Sequence, residues 1–397
     1  MSASDFSIHN LPFGIFDAGE GPRAGVAIGD QIVDLAEVAA RGDFLSLDLP
    51  DLSVFSQPTL NAFIALGKLH WRAVRERVSS LIRTGEAVLV EQNEVRMLLP
   101  VEIGDYVDFY SSEEHATNLG KMFRDPAKPL LPNWKHLPVG YHGRTSSIIP
   151  SGENFHRPRG QINPTNEKPE FAPTRQLDFE LEMGFIVGRT TALGSSVRVD
   201  EAEDCIFGMV LVNDWSARDI QRWEYVPLGP FLGKSFASSM SPWIVTLDAL
   251  EPFRVEGPRQ NPAPLPYLQS RGARNFDVHL EVLLQPEGER EAMLISRTNF
   301  RRMYWNMSQQ LAHLTSNGTN IRVGDLCGSG TISGETPDSF GSMLEICWGG
   351  SKPLTFPGGA GRTFLEDGDT VVMRAYGERA GIRVGFGELK TKILPPS

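Results

Sequence analysis

The spacing of apolar residues in the first hundred positions predicts one long amphipathic helix. Between residues 59 and 83 the apolar side chains recur with a period near 3.6 residues and so form one stripe. They are Leu60, Phe63, Ile64, Trp71, Val74, Val78 and Leu81. Pro58 precedes the segment and Gly85 follows it, which are ordinary start and stop signals of a helix. Upstream, residues 26–28 and 31–35 predict two short strands joined by a Gly-Asp turn.

Beyond Pro100 the pattern changes to short apolar runs separated by proline-rich loops. Runs of strand length lie at residues 185–187, 209–212, 278–284, 370–373 and 382–384. The loops cover residues 126–138, 157–173 and 252–266. Short runs with turn residues between them are typical of antiparallel β structure. We therefore predict a mainly β (α+β) protein with a small domain at residues 1–100 and a larger domain at residues 101–397.

Composition narrows the classes of partner and location. The 397 residues carry a net charge of −11, which disfavours a nucleic-acid partner because phosphate binding needs surplus Lys and Arg. The three cysteines are too few and too scattered for a disulfide framework. The chain does not open on a basic segment followed by an apolar stretch, and nowhere do about 18 apolar residues run together. We therefore expect no membrane association and a cytoplasmic location.

The densest polar cluster in the sequence begins at Asp108 and ends at His115. The carboxylate precedes the imidazole by seven residues, which in a helix is two turns and places both groups on one face. From this spacing alone, a hydrogen-bonded surface histidine is favoured, and a functional pair is the alternative.

An alternating segment at residues 177–183 places two glutamates on one face of a predicted strand. Residues i and i+2 of a strand share a face, so Glu180 and Glu182 project together. The residues that enter the core are Phe179, Leu181 and Met183. Neighbouring carboxylates repel each other unless a cation neutralises them, and Ca²⁺ or Mg²⁺ prefers oxygen ligands. The segment therefore predicts either a metal site or a solvated strand face.

A third cluster begins at Asp214, a residue type that suits a helix N-cap. In a helix that starts there, one stripe contains Asp214, Arg218, Gln221 and Tyr225. A solvated helix face is the alternative, although such faces more usually carry Lys and Glu. Lys234 follows in a loop rich in glycine and proline, where its ammonium could reach a developing negative charge.

The glycine-rich segment at residues 328–334 could bring backbone amides close to an anion. It lacks the Gly-Lys-Ser/Thr ending of a P-loop and matches no GxGxxG pattern, which argues against a nucleotide site. The sequence also contains no GxSxG motif, the most common signature of a serine hydrolase.

Taken in order, these clusters closely resemble the sequence pattern of the fumarylacetoacetate hydrolase family. The most similar stretches are residues 104–118, 122–125, 132–134, 136–144, 213–235 and 329–334. The similarity runs from about residue 100 to the last residue, with a looser correspondence before it. The fold that the resemblance implies is a small SH3-like N-terminal barrel followed by a mixed β-sandwich roll of the type found in that family, assembled as a homodimer.

The resemblance also implies roles for individual residues. The metal-binding carboxylates, for Ca²⁺ and/or Mg²⁺, are Asp108, Glu180, Glu182 and Asp214. A second metal position uses Asp214, Lys234 and Ser238, the last in place of the family's threonine. The catalytic base is His115, oriented by Glu345, and the groups that balance charge at the reacting centre are Arg218, Gln221 and Lys234. The substrate contacts are Tyr110, Arg124, Tyr141, Gln221, Tyr225 and Thr331.

The activity that the resemblance implies is metal-dependent hydrolysis of a carbon–carbon bond. The substrate is the diketo acid 4-fumarylacetoacetate and the products are fumarate and acetoacetate, in the last step of tyrosine and phenylalanine degradation. One alternative is an acylpyruvate hydrolase or oxo-acid decarboxylase of the same superfamily, which shares the metal carboxylates. The other is a non-catalytic binding protein, which would be expected to lose His115 or Glu345.

Overall fold

The N-terminal part of the protein is an antiparallel sheet with helices packed against it. The computed structural model describes residues 5–397. The strands here are β1 (Phe13–Asp17), β2 (Pro22–Ile28), β3 (Gln31–Asp34), β4 (Leu89–Glu91) and β5 (Arg96–Leu98), in the order β4-β3-β2-β1-β5. The helices are α1 (Leu35–Ala40), α2 (Asn61–Ala65) and α3 (Lys68–Thr84). The predicted strand pair is confirmed by the antiparallel register of β2 with β3. The closed barrel that the resemblance implies stays a prediction.

The single helix predicted for residues 59–83 is two helices in the structure, α2 and α3. The chain leaves helical geometry at Gly67, whose φ of 89° lies in the left-handed region that glycine adopts without steric cost. The predicted apolar stripe is nevertheless buried on both pieces, from Phe63 at 0% exposure to Trp71 at 6%. Helix α3 ends at Gly85, as predicted, because that glycine caps it with a φ of 73°.

The rest of the chain contains many strands and fewer, mostly short helices. The strands are β6 (Tyr106–Phe109), β7 (Gly140–His142), β8 (Ile148–Pro150), β9 (Phe155–His156), β10 (Arg159–Ile162), β11 (Glu170–Pro173), β12 (Leu177–Asp178), β13 (Leu181–Val187), β14 (Ile206–Asp214), β15 (Ser216–Ala217), β16 (Ser238–Met240), β17 (Val245–Thr246), β18 (Arg254–Val255), β19 (Asn275–Phe276), β20 (His279–Gln285), β21 (Met293–Asn299), β22 (Leu326–Gly328), β23 (Leu354–Thr355), β24 (Gly361–Arg362), β25 (Thr370–Arg379) and β26 (Ile382–Leu394). The helices are α4 (Glu113–Phe123), α5 (Arg218–Glu224), α6 (Leu232–Ser235), α7 (Leu247–Leu250), α8 (Met307–Thr315) and α9 (Met343–Ile346).

These strands form two main sheets. The first has the order β7-β6-β22-β13-β14-β16-β8, with β17 also paired to β14, and the second has the order β21-β20-β25-β26-β9. Four of the five strand-length runs predicted from the sequence fall inside β13, β14, β25 and β26, and the fifth, residues 278–284, falls inside β20 except for Val278. Most pairs are antiparallel, as predicted, but β22 with β6, β16 with β8 and β26 with β9 are parallel. The mainly β (α+β) class is confirmed, and both main sheets are mixed.

The central strands β13 and β14 are buried along their whole length because both faces of their sheet are covered. On one face, Met209 and Leu211 share a core with Val282 and Met373 of the second sheet, which makes a β-sandwich. On the other face, side chains of β14 share a core with the N-terminal helices. The division into residues 1–100 and 101–397 therefore stays a prediction, since the two parts share a core.

Within residues 5–397, the helices are too short or too polar to span a membrane.

Candidate active site

Four carboxylates meet at one place in the first sheet. Asp108 lies on β6, Glu182 on β13 and Asp214 at the end of β14, while Glu180 immediately precedes β13. One oxygen of each carboxylate lies within 4.8 Å of an oxygen of every other, and each residue is at most 5% exposed. The predicted strand face is therefore a buried cluster, and the solvated alternative for Glu180 and Glu182 is wrong. The neighbouring residues Phe179, Leu181 and Met183 enter the core, as predicted.

A glycine makes room for two of these carboxylates. Strand β22 lies between β6 and β13, and Gly328 is in register with Asp108 on one side and with Gly184 on the other. A Cβ at Gly328 would lie 2.9 Å from Glu182 Oε2 and 3.1 Å from Asp108 Oδ1. The side chains of β6 and β13 can therefore approach each other only because β22 has no side chain at this point.

Two buried cations neutralise part of the cluster. Lys234 Nζ on α6 donates to Glu180 Oε2, and also to Asp214 Oδ2 at 2.5 Å. Arg218 Nη2 lies 2.7 Å from Glu180 Oε1. Burial alone would raise the pKa of Glu180, but Lys234 and Arg218 together hold that pKa well below its ordinary value. Asp214 also accepts from Tyr141 Oη at 2.8 Å and from Ser238 Oγ at 3.2 Å.

Within residues 5–397, Asp108 and Glu182 form no direct ion pair with a cation, although the charge of Lys234 acts on both. Burial, followed by the negative charge of neighbouring carboxylates, raises the pKa of both residues well above its ordinary value. Among the described residues, the buried oxygens Asp108 Oδ1 and Glu182 Oε1 have no hydrogen-bond partner. Three features fit an oxygen-coordinated divalent cation. They are the surplus of carboxylates over cations, the carboxylate oxygens without a hydrogen-bond partner, and the space left by the missing side chain of Gly328. The cluster could therefore bind a metal ion.

His115 and Glu345 form a buried pair near this cluster. His115 lies on α4, one turn inside the helix that Ser112 caps, and Glu345 lies on α9. His115 Nδ1 is 2.7 Å from Glu345 Oε2, and both residues are at most 1% exposed. The surface histidine favoured from the spacing alone is therefore wrong. The helical spacing predicted for Asp108 and His115 is also wrong, because Asp108 belongs to strand β6 and α4 begins only at Glu113.

Within residues 5–397, the side chains that form hydrogen bonds with the Glu345 carboxylate are all donors. Asn118 Nδ2 donates at 2.9 Å, Ser333 Oγ lies 2.9 Å from both carboxylate oxygens, and Ser342 Oγ donates at 2.8 Å. Burial opposes ionisation, but His115, Asn118 and Ser342 together lower the pKa of Glu345 below its ordinary value. Glu345 is therefore a carboxylate that accepts from His115 Nδ1–H, which leaves the Nε2 lone pair of the imidazole available.

The cluster after Asp214 is arranged differently from the prediction. Asp214 ends strand β14 and does not cap a helix, since α5 begins at Arg218 with Ala217 at its N-cap. The predicted stripe is therefore wrong for Asp214 and correct for the rest: Arg218 and Gln221 lie on α5, and Arg218 Nη1 donates to Gln221 Oε1 at 3.3 Å. Tyr225 follows at the C-cap of α5. Arg218 is 6% exposed, so the solvated-face alternative is wrong for this residue.

Four of the predicted substrate-contact residues line two cavities that also contain Arg218 or Lys234. A cavity of about 370 Å³ is lined by Arg124, Gln221 and Tyr225 together with Arg218 and apolar side chains. A second cavity of about 180 Å³ is lined by Tyr141, Lys234, Ser238 and others. Tyr110 packs edge-on against His115 with 5.3 Å between ring centroids, and burial raises the pKa of its hydroxyl. Thr331 is 2% exposed in the glycine-rich segment, in which Gly330 N donates to Glu182 Oε2 at 3.1 Å.

Sequence reasoning missed several polar residues that complete the site. Asp178 continues the alternation of Glu180 and Glu182 by one step, so the period of two could have identified it. Asn118 lies three residues after His115 on α4, which places both on one helix face. For Ser333 and Ser342 the local sequence carried no comparable signal.

Family models match both parts of the chain, and curated proteins match almost its whole length. Residues 106–394 match the family model described as fumarylacetoacetate (FAA) hydrolase C-terminal, and residues 9–100 match fumarylacetoacetase N-terminal. The fumarylacetoacetase of Homo sapiens is 50% identical over 408 residues, covering 99% of this chain and 97% of that protein. The fumarylacetoacetase of Arabidopsis thaliana is 49% identical with the same coverage.

A solved structure shows the same fold. The fumarylacetoacetate hydrolase from psychrophilic Exiguobacterium antarcticum aligns with a TM-score of 0.56 and 19% identity, over 97% of this chain and 99% of that one. At this identity the likeness concerns the fold alone. The two family models together with relatives near 50% identity over almost the whole length leave one assignment: the chain belongs to the fumarylacetoacetate hydrolase family.

Proposed function

We propose that this protein hydrolyses 4-fumarylacetoacetate to fumarate and acetoacetate, the last step of tyrosine and phenylalanine degradation. The observation that carries the proposal is the buried His115–Glu345 pair, with its imidazole oriented as a base, near a buried carboxylate cluster. The relatives that are about 50% identical over 99% of the chain carry the name fumarylacetoacetase. The alternative of an acylpyruvate hydrolase or oxo-acid decarboxylase is not favoured by these relatives.

His115 is the proposed general base. Glu345 accepts from Nδ1–H and fixes the tautomer, so Nε2 can take a proton from a water molecule. Four donors keep Glu345 ionised, and its charge stabilises the imidazolium that forms. The hydroxide oxygen then adds to the carbonyl next to the alkene. Collapse of the tetrahedral adduct breaks the carbon–carbon bond, and the electron pair leaves with acetoacetate as an enolate that takes up a proton.

The negative charge of that enolate needs buried donors. Lys234 and Arg218 are buried cations beside Glu180, and Gln221 accepts from Arg218. Although burial opposes it, Asp214 and Glu180 raise the pKa of Lys234, so the ammonium is charged at neutral pH. Preorganised donors in a site without bulk water stabilise developing charge strongly. Arg218, Gln221 and Lys234 are therefore the proposed charge-balancing residues.

Asp108, Glu180, Glu182 and Asp214 are the residues that would hold Ca²⁺ or Mg²⁺. Lewis-acid polarisation of the two keto oxygens of the substrate is the chemistry that such a cation supplies when bound. For the second metal position, Asp214 and Ser238 are in contact through Ser238 Oγ. A charged ammonium has no lone pair for a metal, so the proposed part of Lys234 in that position is to balance charge.

The substrate's terminal carboxylates are the proposed partners of the polar side chains around the cavities. Arg124 and Tyr225 line the larger cavity, where the apolar side chains of Leu119, Phe123 and Leu344 suit the alkene. The proposed contacts on the other sides are Tyr110, Tyr141, Gln221 and Thr331. A diketo acid with a carboxylate at each end fits a site with polar groups on several sides of one centre.

The activity is tested directly by the ultraviolet absorbance of the diketone. Purified protein with Mg²⁺ or Ca²⁺ should remove the absorbance of 4-fumarylacetoacetate and release equal amounts of fumarate and acetoacetate. Acylpyruvates and oxaloacetate, assayed in parallel, should turn over far more slowly. A preference for either of these would replace the proposed substrate with the alternative.

A homodimer and a cytoplasmic location complete the proposal. The dimer rests on the family resemblance, and light scattering at micromolar concentration should report about twice the chain mass of 43.9 kDa. A monomer with full activity would contradict it. The cytoplasmic location stays a prediction from the sequence.

A further inference from the structure

Asp178 is a buried carboxylate that contacts two parts of the site. One is Arg218, beside the carboxylate cluster, and the other is the helix α9 that carries Glu345. Asp178 lies on β12 with 0% exposure. Its Oδ2 accepts from Arg218 Nε at 2.8 Å, and Arg218 Nη2 is also 2.8 Å away. Its Oδ1 accepts from Met343 N at 2.7 Å, and Leu344 N donates to Oδ2 at 3.2 Å. Both oxygens of Asp178 are therefore engaged.

The partners of Asp178 belong to different elements. Arg218 is the first residue of α5 and contacts Glu180 and Gln221. It is one of the residues proposed to balance charge at the reacting centre. Met343 and Leu344 are the first residues of α9, which also carries Glu345. The pairing of β12 with β15 positions the backbone of Arg218, which directly follows β15. Next to that strand pair, Arg218 N donates to Gln176 O at 2.9 Å. One carboxylate thus joins the start of α5 to the start of α9.

We propose that Asp178 is a positioning residue for the proposed reaction: it fixes the Arg218 guanidinium and the α9 segment with Glu345 in one relative geometry. An asparagine has nearly the same shape but offers one acceptor oxygen and one NH₂ donor. Wherever that NH₂ is placed, it faces a donor, either Arg218 or the N–H of Met343. A buried donor without an acceptor is costly, so the start of one helix has to move.

The inference rests on the proposed function, and Asp178→Asn tests it against a matched control, Asp369→Asn. Asp369 is also 0% exposed and binds Arg362 through both oxygens at 2.8 and 2.9 Å. It also accepts from Glu366 N at 2.9 Å. Like Asp178, Asp369 therefore pairs with a buried arginine and accepts from backbone N–H groups, but its partners are not among the site residues. Both variants should lower the melting temperature.

Of the two variants, only Asp178→Asn should lower kcat per folded molecule. The expected loss is about 100-fold, because a small misplacement of reacting groups lowers the rate by about that factor. KM should change much less. Hydrogen exchange, followed by mass spectrometry, supplies a second measurement that needs no substrate. The peptide covering residues 342–347 should exchange faster in Asp178→Asn and at the wild-type rate in Asp369→Asn. If Asp178→Asn does not fold, Arg218→Lys is the second variant. It should increase the rate of hydrogen exchange in the same peptide, because Asp178 loses its contact with the guanidinium.

Three results would overturn the inference: an unchanged kcat in folded Asp178→Asn, an equal loss of kcat in Asp369→Asn, or unchanged exchange at residues 342–347. Failure of the proposed function looks different. In that case the wild-type protein leaves 4-fumarylacetoacetate intact, and the exchange measurement still decides whether Asp178 fixes the segment that carries Glu345.

Discussion

The His115–Glu345 pair and the carboxylate cluster are both buried, but their negative charges are compensated in different ways. The single carboxylate of Glu345 receives hydrogen bonds from the His115 ring, the Asn118 amide and two serine hydroxyls. The four carboxylates of the cluster share, among the described residues, two buried cations, Lys234 and Arg218. The pair is therefore complete within the protein, whereas the cluster keeps orphaned oxygens at Asp108 and Glu182.

This difference indicates which part of the site depends on a bound ion. An uncompensated buried charge costs several kcal/mol, so four buried carboxylates beside two cations must either bind protons, as the raised pKa of Asp108 and of Glu182 indicates, or bind a further cation. The imidazole–carboxylate pair needs no further cation, because four donors surround one acceptor group. Removal of metal should consequently disturb the cluster and leave the pair in place. Changes in the pair should likewise leave metal binding in place.

Removal of metal should have the largest effect on activity. Exhaustive chelation with EDTA should abolish hydrolysis of 4-fumarylacetoacetate and lower the melting temperature, and Ca²⁺ or Mg²⁺ should restore both. Glu182→Gln removes one cluster charge and one ligand, so it should weaken Mg²⁺ affinity measured by calorimetry. Full turnover by the exhaustively chelated protein would show that the cluster is not the metal site.

Loss of the base should have the next largest effect. His115→Ala should reduce kcat by about 100- to 10,000-fold, the usual cost of removing a general base, while Mg²⁺ affinity stays close to that of the wild type. His136 and His142 are exposed, and His136→Ala is the control variant that should keep wild-type kcat. If His115→Ala turned over at the wild-type rate, the base would have to be sought elsewhere.

The partner of the base should matter less than the base itself. Glu345→Gln keeps the shape of the side chain but removes the charge that stabilises the imidazolium, so kcat should fall by less than in His115→Ala. The double variant should be little worse than His115→Ala alone, since the two residues act as one unit. Steady-state kinetics of the three variants measure this directly. Losses that multiply would mean that Glu345 acts independently of His115.

Part of this arrangement follows from local sequence patterns. The period of two in residues 177–183 placed Glu180 and Glu182 on one face and their apolar neighbours in the core, and the structure confirms both. The same kind of reasoning was wrong for Asp108 with His115 and for Asp214 with Arg218. In both cases a strand ends and a helix begins between the two residues, and residue spacing alone does not reveal where that change occurs.

The remaining arrangement depends on contacts between distant parts of the chain. Glu345 is 230 residues from His115, and the parallel pairing of β22 with β6 brings Gly328 beside Asp108. No local period encodes such pairings, because strand order is set by packing of the whole sheet. Only the family resemblance placed Glu345 with His115. The role of Gly328 in letting Asp108 and Glu182 approach each other became visible only in the sheet register.

Gly328 offers the most selective way to disturb the cluster while sparing the pair. Its Cβ would lie 2.9 Å from Glu182 Oε2 and 3.1 Å from Asp108 Oδ1, on the side of the cluster that lacks a cation. Gly328→Ala should therefore push these two carboxylates apart and weaken Mg²⁺ affinity by about 10- to 100-fold, as changes around metal ligands typically do. Calorimetric titration of the chelated and repurified variant measures this effect.

The control for this change is Gly361→Ala on β24, where the nearest atom to the new Cβ, Leu354 O, is 3.9 Å away. That variant should bind Mg²⁺ like the wild type. At saturating Mg²⁺, Gly328→Ala should recover most of its kcat, because His115 and Glu345 are on other elements and keep their contacts. Wild-type affinity in Gly328→Ala would mean that the ion does not bind between Asp108 and Glu182. The lack of hydrogen-bond partners for the buried oxygens of these two residues would then need another explanation. The claim that the carboxylate cluster depends on a bound ion, whereas the His115–Glu345 pair does not, would be wrong.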